Sequence, residues 1–285
     1  MKKIKILICA FVILCTFGCF RNDSMENVKI ATSVYPIQYV VDVLYGEHSE
    51  INSIYPNDSD IENFKVTNVL LKQYNDSDLF IFNGLSEEKN YVKTMLKNNE
   101  NLKIIDVTSN MQYDYESEEL WLDPNNLLTI ANNIKKGFEE YIKSTYLINE
   151  INENYDNLKM ELTNLDGKYY SAFKSSNVTS IIVSDDSLRF LEKYGIKVIS
   201  IDPKSATDKD LVSAKELVNS GMCNYIFTKY GNNNTEEIQN FVNETGVEKL
   251  DIYTFTNLSN LNVEKNDYLT LMNQNLENLK LELYK

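Results

Sequence analysis

The chain has 285 residues, 28 of them basic and 42 acidic, for a formal net charge of −14. That acidity argues against nucleic acid as a partner and against a polybasic hold on anionic lipid. A single histidine in the whole sequence, with no Gly-x-Ser-x-Gly and no phosphate-cradling glycine loop, points away from an enzyme.

The first 18 residues read as a targeting segment. Lys2, Lys3 and Lys5 form a basic start, and an apolar run from Ile6 to Phe17 follows, too short to span a bilayer comfortably. It ends at Thr16-Phe17-Gly18-Cys19, which resembles a lipoprotein cleavage box. The expectation is cleavage before Cys19 and a lipid on its sulfur, leaving the protein anchored on the extracytoplasmic face of the cell membrane through that lipid alone. Residues 19–27 are then a tether. Losing the leader removes three lysines, so the mature charge is −17. It also removes Cys9 and Cys15, so Cys223 alone remains as a thiol and no disulfide within one chain is expected.

Beyond the tether, strand-like and helix-like runs alternate. β-Rich runs fall at 28–34, 50–55, 78–83 and 102–107, with amphipathic segments at 38–45, 66–74 and 87–97. A second set of β-rich runs falls at 178–183, 197–201, 225–228 and 249–253, with helical patterns at 187–194, 208–219 and 235–244. Such alternation predicts parallel sheets with helices on their faces. Between the sets lie a helix over 125–143 and then a longer one. In that longer one Ile148, Ile151, Tyr155, Leu158, Leu162, Leu165, Tyr169 and Phe173 recur every three or four residues. Its position favours a spine packed along both lobes of one chain over a coiled-coil dimer, so a monomer is expected. Gly167 within it marks a bend or a close contact. The expected organisation is α/β: an N-terminal lobe over 28–124, a helical segment over 125–175 and a C-terminal lobe over 176–285. Each lobe is a four-stranded, mainly parallel sheet flanked by helices, and one long rigid helix joins them.

Five motifs occur in order. Thr32-Ser33-Val34-Tyr35-Pro36-Ile37 and Asp78-Leu79-Phe80-Ile81-Phe82-Asn83-Gly84 come first, then Glu119-Leu120-Trp121-Leu122-Asp123-Pro124. Phe190-Leu191-Glu192-Lys193-Tyr194-Gly195-Ile196 and Asp267-Tyr268-Leu269-Thr270-Leu271-Met272 complete the series. Together they resemble the zinc and manganese solute-binding lipoproteins of bacterial ABC importers. The third is similar to that family's His-Val-Trp-Leu-Asp-Pro signature. The resemblance implies a ligand held between two lobes, with an ABC permease as partner.

The resemblance also implies a ligand set, residue by residue. The family's first histidine falls at Glu62, with Asp60 as a rival in the same loop, and its second at Glu119. The third ligand position falls at Asp185. The fourth falls at Asn257 in Phe255-Thr256-Asn257, and by a different family pattern next to Lys229, after Tyr225-Ile226-Phe227-Thr228. Every expected imidazole is replaced by an acid. Zinc prefers nitrogen and sulfur donors, so an oxygen-only set suits a hard divalent cation such as manganese better. The alternative is that no metal is bound. Three carboxylates converging in a cleft need a cation, and the Lys229 ammonium is one the chain supplies itself, unless that side chain is simply solvated. The scaffold then serves as an adhesin-like surface lipoprotein or binds an unknown small ligand. Paired acids at Glu118-Glu119 and Asp185-Asp186 do not make a glycosidase, since adjacent loop acids point apart. His48, in Gly46-Glu47-His48-Ser49, is expected as an exposed turn residue.

Overall fold

The structure is a computed structural model that describes residues 25–56, 59–231, 235–258 and 266–285. The leader, Cys19 and most of the tether lie outside the described residues. Among the described residues no helix is long and apolar enough to cross a membrane.

The N-terminal lobe opens with β1 (Val28–Thr32) and α1 (Tyr35–Tyr45), which starts where Pro36 supplies a helix-ready φ near the N-terminus. β2 (Ser49–Ser53), the short α2 (Asn68–Leu71), β3 (Leu79–Phe82), α3 (Glu88–Asn98) and β4 (Lys103–Asp106) follow. The sheet order is β2-β1-β3-β4, with every pairing parallel. Leu79-Phe80-Ile81-Phe82 is buried at every position, as a strand covered on both faces must be. The edge strand β2 is instead part exposed along its length.

A single turn, α4 (Glu119–Leu122), leads into α5 (Pro124–Tyr141). Asp123 caps α5 by accepting from the Asn125 N–H, and Pro124 takes the first turn, where its missing N–H costs nothing. Then comes α6 (Thr145–Ser175), 31 residues, about 46 Å of rod at ~1.5 Å per residue. Its seam is buried at Leu147, Ile151, Leu158, Leu162, Leu165, Tyr169 and Phe173. It packs on α5 and α1 at one end and on the 186–194 segment and the C-terminal helix at the other. Gly167 marks no close approach: a Cβ there would meet nothing within 4 Å.

The C-terminal lobe repeats the pattern with β5 (Ser180–Val183), β6 (Lys197–Ser200), α7 (Asp208–Asn219), β7 (Tyr225–Lys229), α8 (Glu236–Thr245), β8 (Glu248–Ile252) and α9 (Tyr268–Leu283). Its order, β6-β5-β7-β8, is again parallel throughout. Two of the expected helices are tighter than the periodicity suggests. Asp186–Tyr194 is a 3-10 segment, ended by Gly195 at φ 87, and 66–74 is split into α2 and a 3-10 turn.

One continuous apolar core joins the inner faces of both sheets to α1, α4, α5, α6 and α9, while two small cores lie on the outer faces. Trp121 sits within the shared core. Its indole N–H donates to the Thr254 carbonyl at 2.9 Å, and the Tyr268 hydroxyl donates to the Trp121 carbonyl at 2.6 Å. The tryptophan motif therefore pins the end of the N-terminal lobe to the segment after β8. The lobes share packed side chains and are not hung on a flexible link.

Candidate functional site

Both sheets present their carboxyl ends to one cleft, the usual place for binding loops in parallel α/β sheets. The loop over 59–64 follows β2. The 113–118 loop precedes α4. Ser184-Asp185 follows β5, and Lys229 ends β7. Backbone closes part of the gap: the Ile61 N–H donates to the Thr256 carbonyl at 2.8 Å, and Asp60 and Asn257 form an antiparallel bridge.

Lys229 is 7% exposed, and its ammonium stands where these loops meet. Nζ lies 2.8 Å from Glu62 Oε1, 3.0 Å from Glu118 Oε1 and 3.0 Å from Asp185 Oδ2. Two of these carboxylates come from the N-terminal lobe and one from the C-terminal lobe. Burial works against a charged Lys229, but the charges of Glu118, Asp185 and Glu62 outweigh it and raise its affinity for the proton. Asp185 is the converse. Burial works to raise it, while Lys229 and the Ser187 N–H, which donates to Oδ1 at 2.9 Å, hold its carboxyl below the usual range. Glu116 stands close by; burial and the charges of Glu118 and Asp185 push its carboxyl up.

The structure thus brings Glu62, Asp185 and Lys229 together and adds Glu118, which the motif did not single out. Glu119 is placed elsewhere. Its carboxylate accepts backbone N–H groups from Asp114 at 3.3 Å, Tyr115 at 2.6 Å and Glu116 at 3.1 Å. Burial raises its carboxyl while those three donors oppose the rise. The physical reason is the helical turn that begins there: successive side chains leave its axis about 100° apart, so one of two adjacent acids faces the cleft and the other its own loop. Asp60 also turns inward, accepting from the Glu62 N–H and the Asn63 side chain. Asn257 donates to the Gly231 carbonyl at 2.9 Å. Asp60 and Asn257 nevertheless line the same cavity of about 350 Å³ as Glu62, Asp185, Asp202 and Lys229. The only sequence signal for Glu118 was its adjacency to Glu119.

His48 departs from its expected exposure. It is in the predicted turn, but Nε2 lies 3.0 Å from Glu150 Oε1 of α6 and its ring packs beside Tyr45. Cys223 is a buried free thiol, pushed by burial up to about 11.

The residues at the cleft can be tested against a divalent ion. Zinc and magnesium sit about 2.0–2.2 Å from oxygen and calcium about 2.3–2.6 Å. Here three oxygens stand 2.8–3.0 Å from a point that an ammonium already fills. Among the described residues, no group of three or more histidine, cysteine, aspartate or glutamate side chains is arranged to hold a metal ion. As arranged, the donors fit an ammonium and not a divalent cation.

Two parallel α/β lobes fused along one long helix, with charged loops facing each other across a cleft, define a bilobed solute-binding protein. The chain matches the family described as zinc-uptake complex component A, periplasmic, over residues 30–281, and it belongs to that family. Its members are the extracytoplasmic binding components of metal-uptake ABC importers, receptors for divalent metal and not enzymes. No curated protein matches the chain. Similar solved structures include the Zn(II)-bound ZnuA-like domain of AdcA from Streptococcus pneumoniae, 18% identical, with a TM-score of 0.72 over 91% of this chain and 100% of that one. AdcAII of the same species is 21% identical, with a TM-score of 0.75 over 90% and 99%. The laminin-binding protein Lbp of Streptococcus pyogenes is 19% identical, with a TM-score of 0.72 over 90% and 99%. At these identities the likeness is one of fold.

Proposed function

We propose that this protein is a lipid-anchored member of the importer-receptor family, tethered through Cys19, whose cleft has exchanged the family's metal cargo for a built-in cation. The observation that carries the reading is the Lys229 ammonium, within 3.0 Å of carboxylates from both lobes. An ammonium on the chain needs no uptake from solution and competes at a high effective concentration with any free ion. The lobes are thereby held together without a bound metal. The polar cavity of about 350 Å³ beside Lys229 remains as the place for a non-metal solute. Surface attachment, the alternative role of such a lipoprotein, is compatible with the same latch; one similar structure is that of a laminin-binding protein.

The competing reading is an oxygen-donor site for manganese or another hard divalent cation. It is favoured by the three retained carboxylates and requires Lys229 to leave. Elemental analysis of the purified mature protein separates the two, followed by thermal unfolding with manganese, zinc, calcium and magnesium. The expected result is no stoichiometric metal and no shift in Tm. A metal at 100 times its Kd would stabilise the fold by about 2.7 kcal/mol, and such a shift with any of the four overturns the proposal.

A further inference from the structure

We infer that Phe255 is a strained switch residue: its left-handed backbone is held only while the two lobes are closed, so that the segment over 253–258 is poised to let go of the N-terminal lobe as a unit. The inference goes beyond the function proposed above and does not depend on what occupies the cleft.

The backbone is the first observation. Phe255 has φ 64 and is 2% exposed. Among the described residues, every other positive φ belongs to a glycine or an asparagine. Those two residue types enter the left-handed region at little cost, whereas a bulky side chain there crowds the following carbonyl. The penalty is worth about 5- to 30-fold in an equilibrium. Such a conformation persists where the surroundings over-determine it.

What over-determines it is the second observation. On one side of Phe255 the Trp121 indole N–H donates to the Thr254 carbonyl at 2.9 Å. On the other side the Ile61 N–H donates to the Thr256 carbonyl at 2.8 Å, and Asn257 forms its bridge with Asp60. The Phe255 ring is stacked between Tyr35 of α1, centroids 6.1 Å apart, and Tyr268 of α9, centroids 5.1 Å apart. All of these contacts except that with Tyr268 cross to the N-terminal lobe. The left-handed residue therefore depends on the closed arrangement, and extended backbone is the lower-energy choice once the N-terminal lobe withdraws. Strain that favours opening and cross-lobe bonds that favour closing make an element with two discrete states. Two of those bonds end on backbone carbonyls, which no substitution at position 255 removes, so the balance can be probed there.

The test is native-state hydrogen exchange on the mature protein. It is read at the Ile61 amide and the Trp121 indole N–H, with the Ile134 amide of the shared core as reporter of global unfolding. In the wild type the two cross-lobe groups are expected to share one opening constant, at least about 10-fold larger than that of Ile134. Phe255→Ala and Phe255→Gly both delete the ring and differ in their access to positive φ. Strain favours glycine in the closed state by about 5- to 30-fold, and glycine's extra freedom once open returns about 2- to 5-fold. Phe255→Gly is therefore expected to open about 3- to 10-fold less often than Phe255→Ala at both reporters. Equal opening in the two, or more in the glycine variant, means that the left-handed backbone survives opening and overturns the inference. Wild-type exchange at Ile61 and Trp121 no faster than at Ile134 overturns it as well, because the segment then leaves only on unfolding. That wild-type measurement decides the matter even if neither variant folds.

Discussion

Glu118 and Glu119 are adjacent, both buried, and neutralised in opposite ways. Glu118 depends on an ammonium 111 residues away in the other lobe, whereas Glu119 depends on backbone N–H groups three to five residues before it. The first arrangement exists only when the two lobes are packed together; the second can form within its own loop. A buried acid with a distant partner reports tertiary structure, and one with local donors shapes the loop that carries its neighbour. Glu119 thus acts for the cleft indirectly, by folding the segment that presents Glu116 and Glu118.

The comparison is broken most severely at Lys229. In chelated buffer Lys229→Met leaves three partly buried carboxylates without their cation, and a loss of about 3–5 kcal/mol is expected in urea unfolding. A loss below about 1 kcal/mol would mean that the carboxylates are solvated in solution. The local arrangement should cost less. Glu119→Ala strips the acceptor from three N–H groups in a loop that water partly reaches, and about 1–3 kcal/mol is expected by the same measurement. If Glu119→Ala proves the more damaging of the two, the ranking of cross-lobe over local neutralisation is wrong.

Per pH unit the smallest effect is in pH dependence, which compares the latch with a third buried acid. Glu88 accepts from the Ser33 hydroxyl at 2.6 Å and the Asn83 N–H at 2.8 Å, and burial pushes its carboxyl up to about 7. Between about 4.5, the ordinary glutamate value, and 7 the folded state holds this proton more firmly than the unfolded chain does. Its contribution to stability therefore grows as pH falls from 8 to 5, with a slope of at most about 1.4 kcal/mol per pH unit. Asp185 has the opposite sign. Its carboxyl is held below 3.8, so the stability it lends is present above that value and is lost as pH falls through its depressed one. Tm is expected to rise modestly from pH 8 to 5 and to fall below pH 4. Glu88→Gln should flatten the first limb, and a monotonic fall from pH 8 to 5 would contradict the assignment.

Much of this fold was legible in order and period. The strand and helix alternation and the spine at 148–173 are local patterns, and local patterns survive without knowledge of partners. Trp121 marked the fold through its motif's resemblance to the family, and in the structure its indole is buried with its N–H donated to the Thr254 carbonyl. The split of 66–74 and the 3-10 form of 186–194 were not legible, because backbone tightening follows from packing and leaves no periodic trace. The pairing of His48 with Glu150 was hidden for the same reason: the partner lies 102 residues away.

By itself the sequence determined the two α/β lobes, the rod between them and the family to which they belong. It also narrowed Lys229 to two fates, a solvated side chain or an internal cation. Only the tertiary structure decided between them, and only it chose Glu118 over Glu119. The physical reason is that a side chain's direction around a single helical turn and its distance to a charge in the other lobe are set by how the lobes meet, and Coulomb energy depends on that distance and not on separation along the chain.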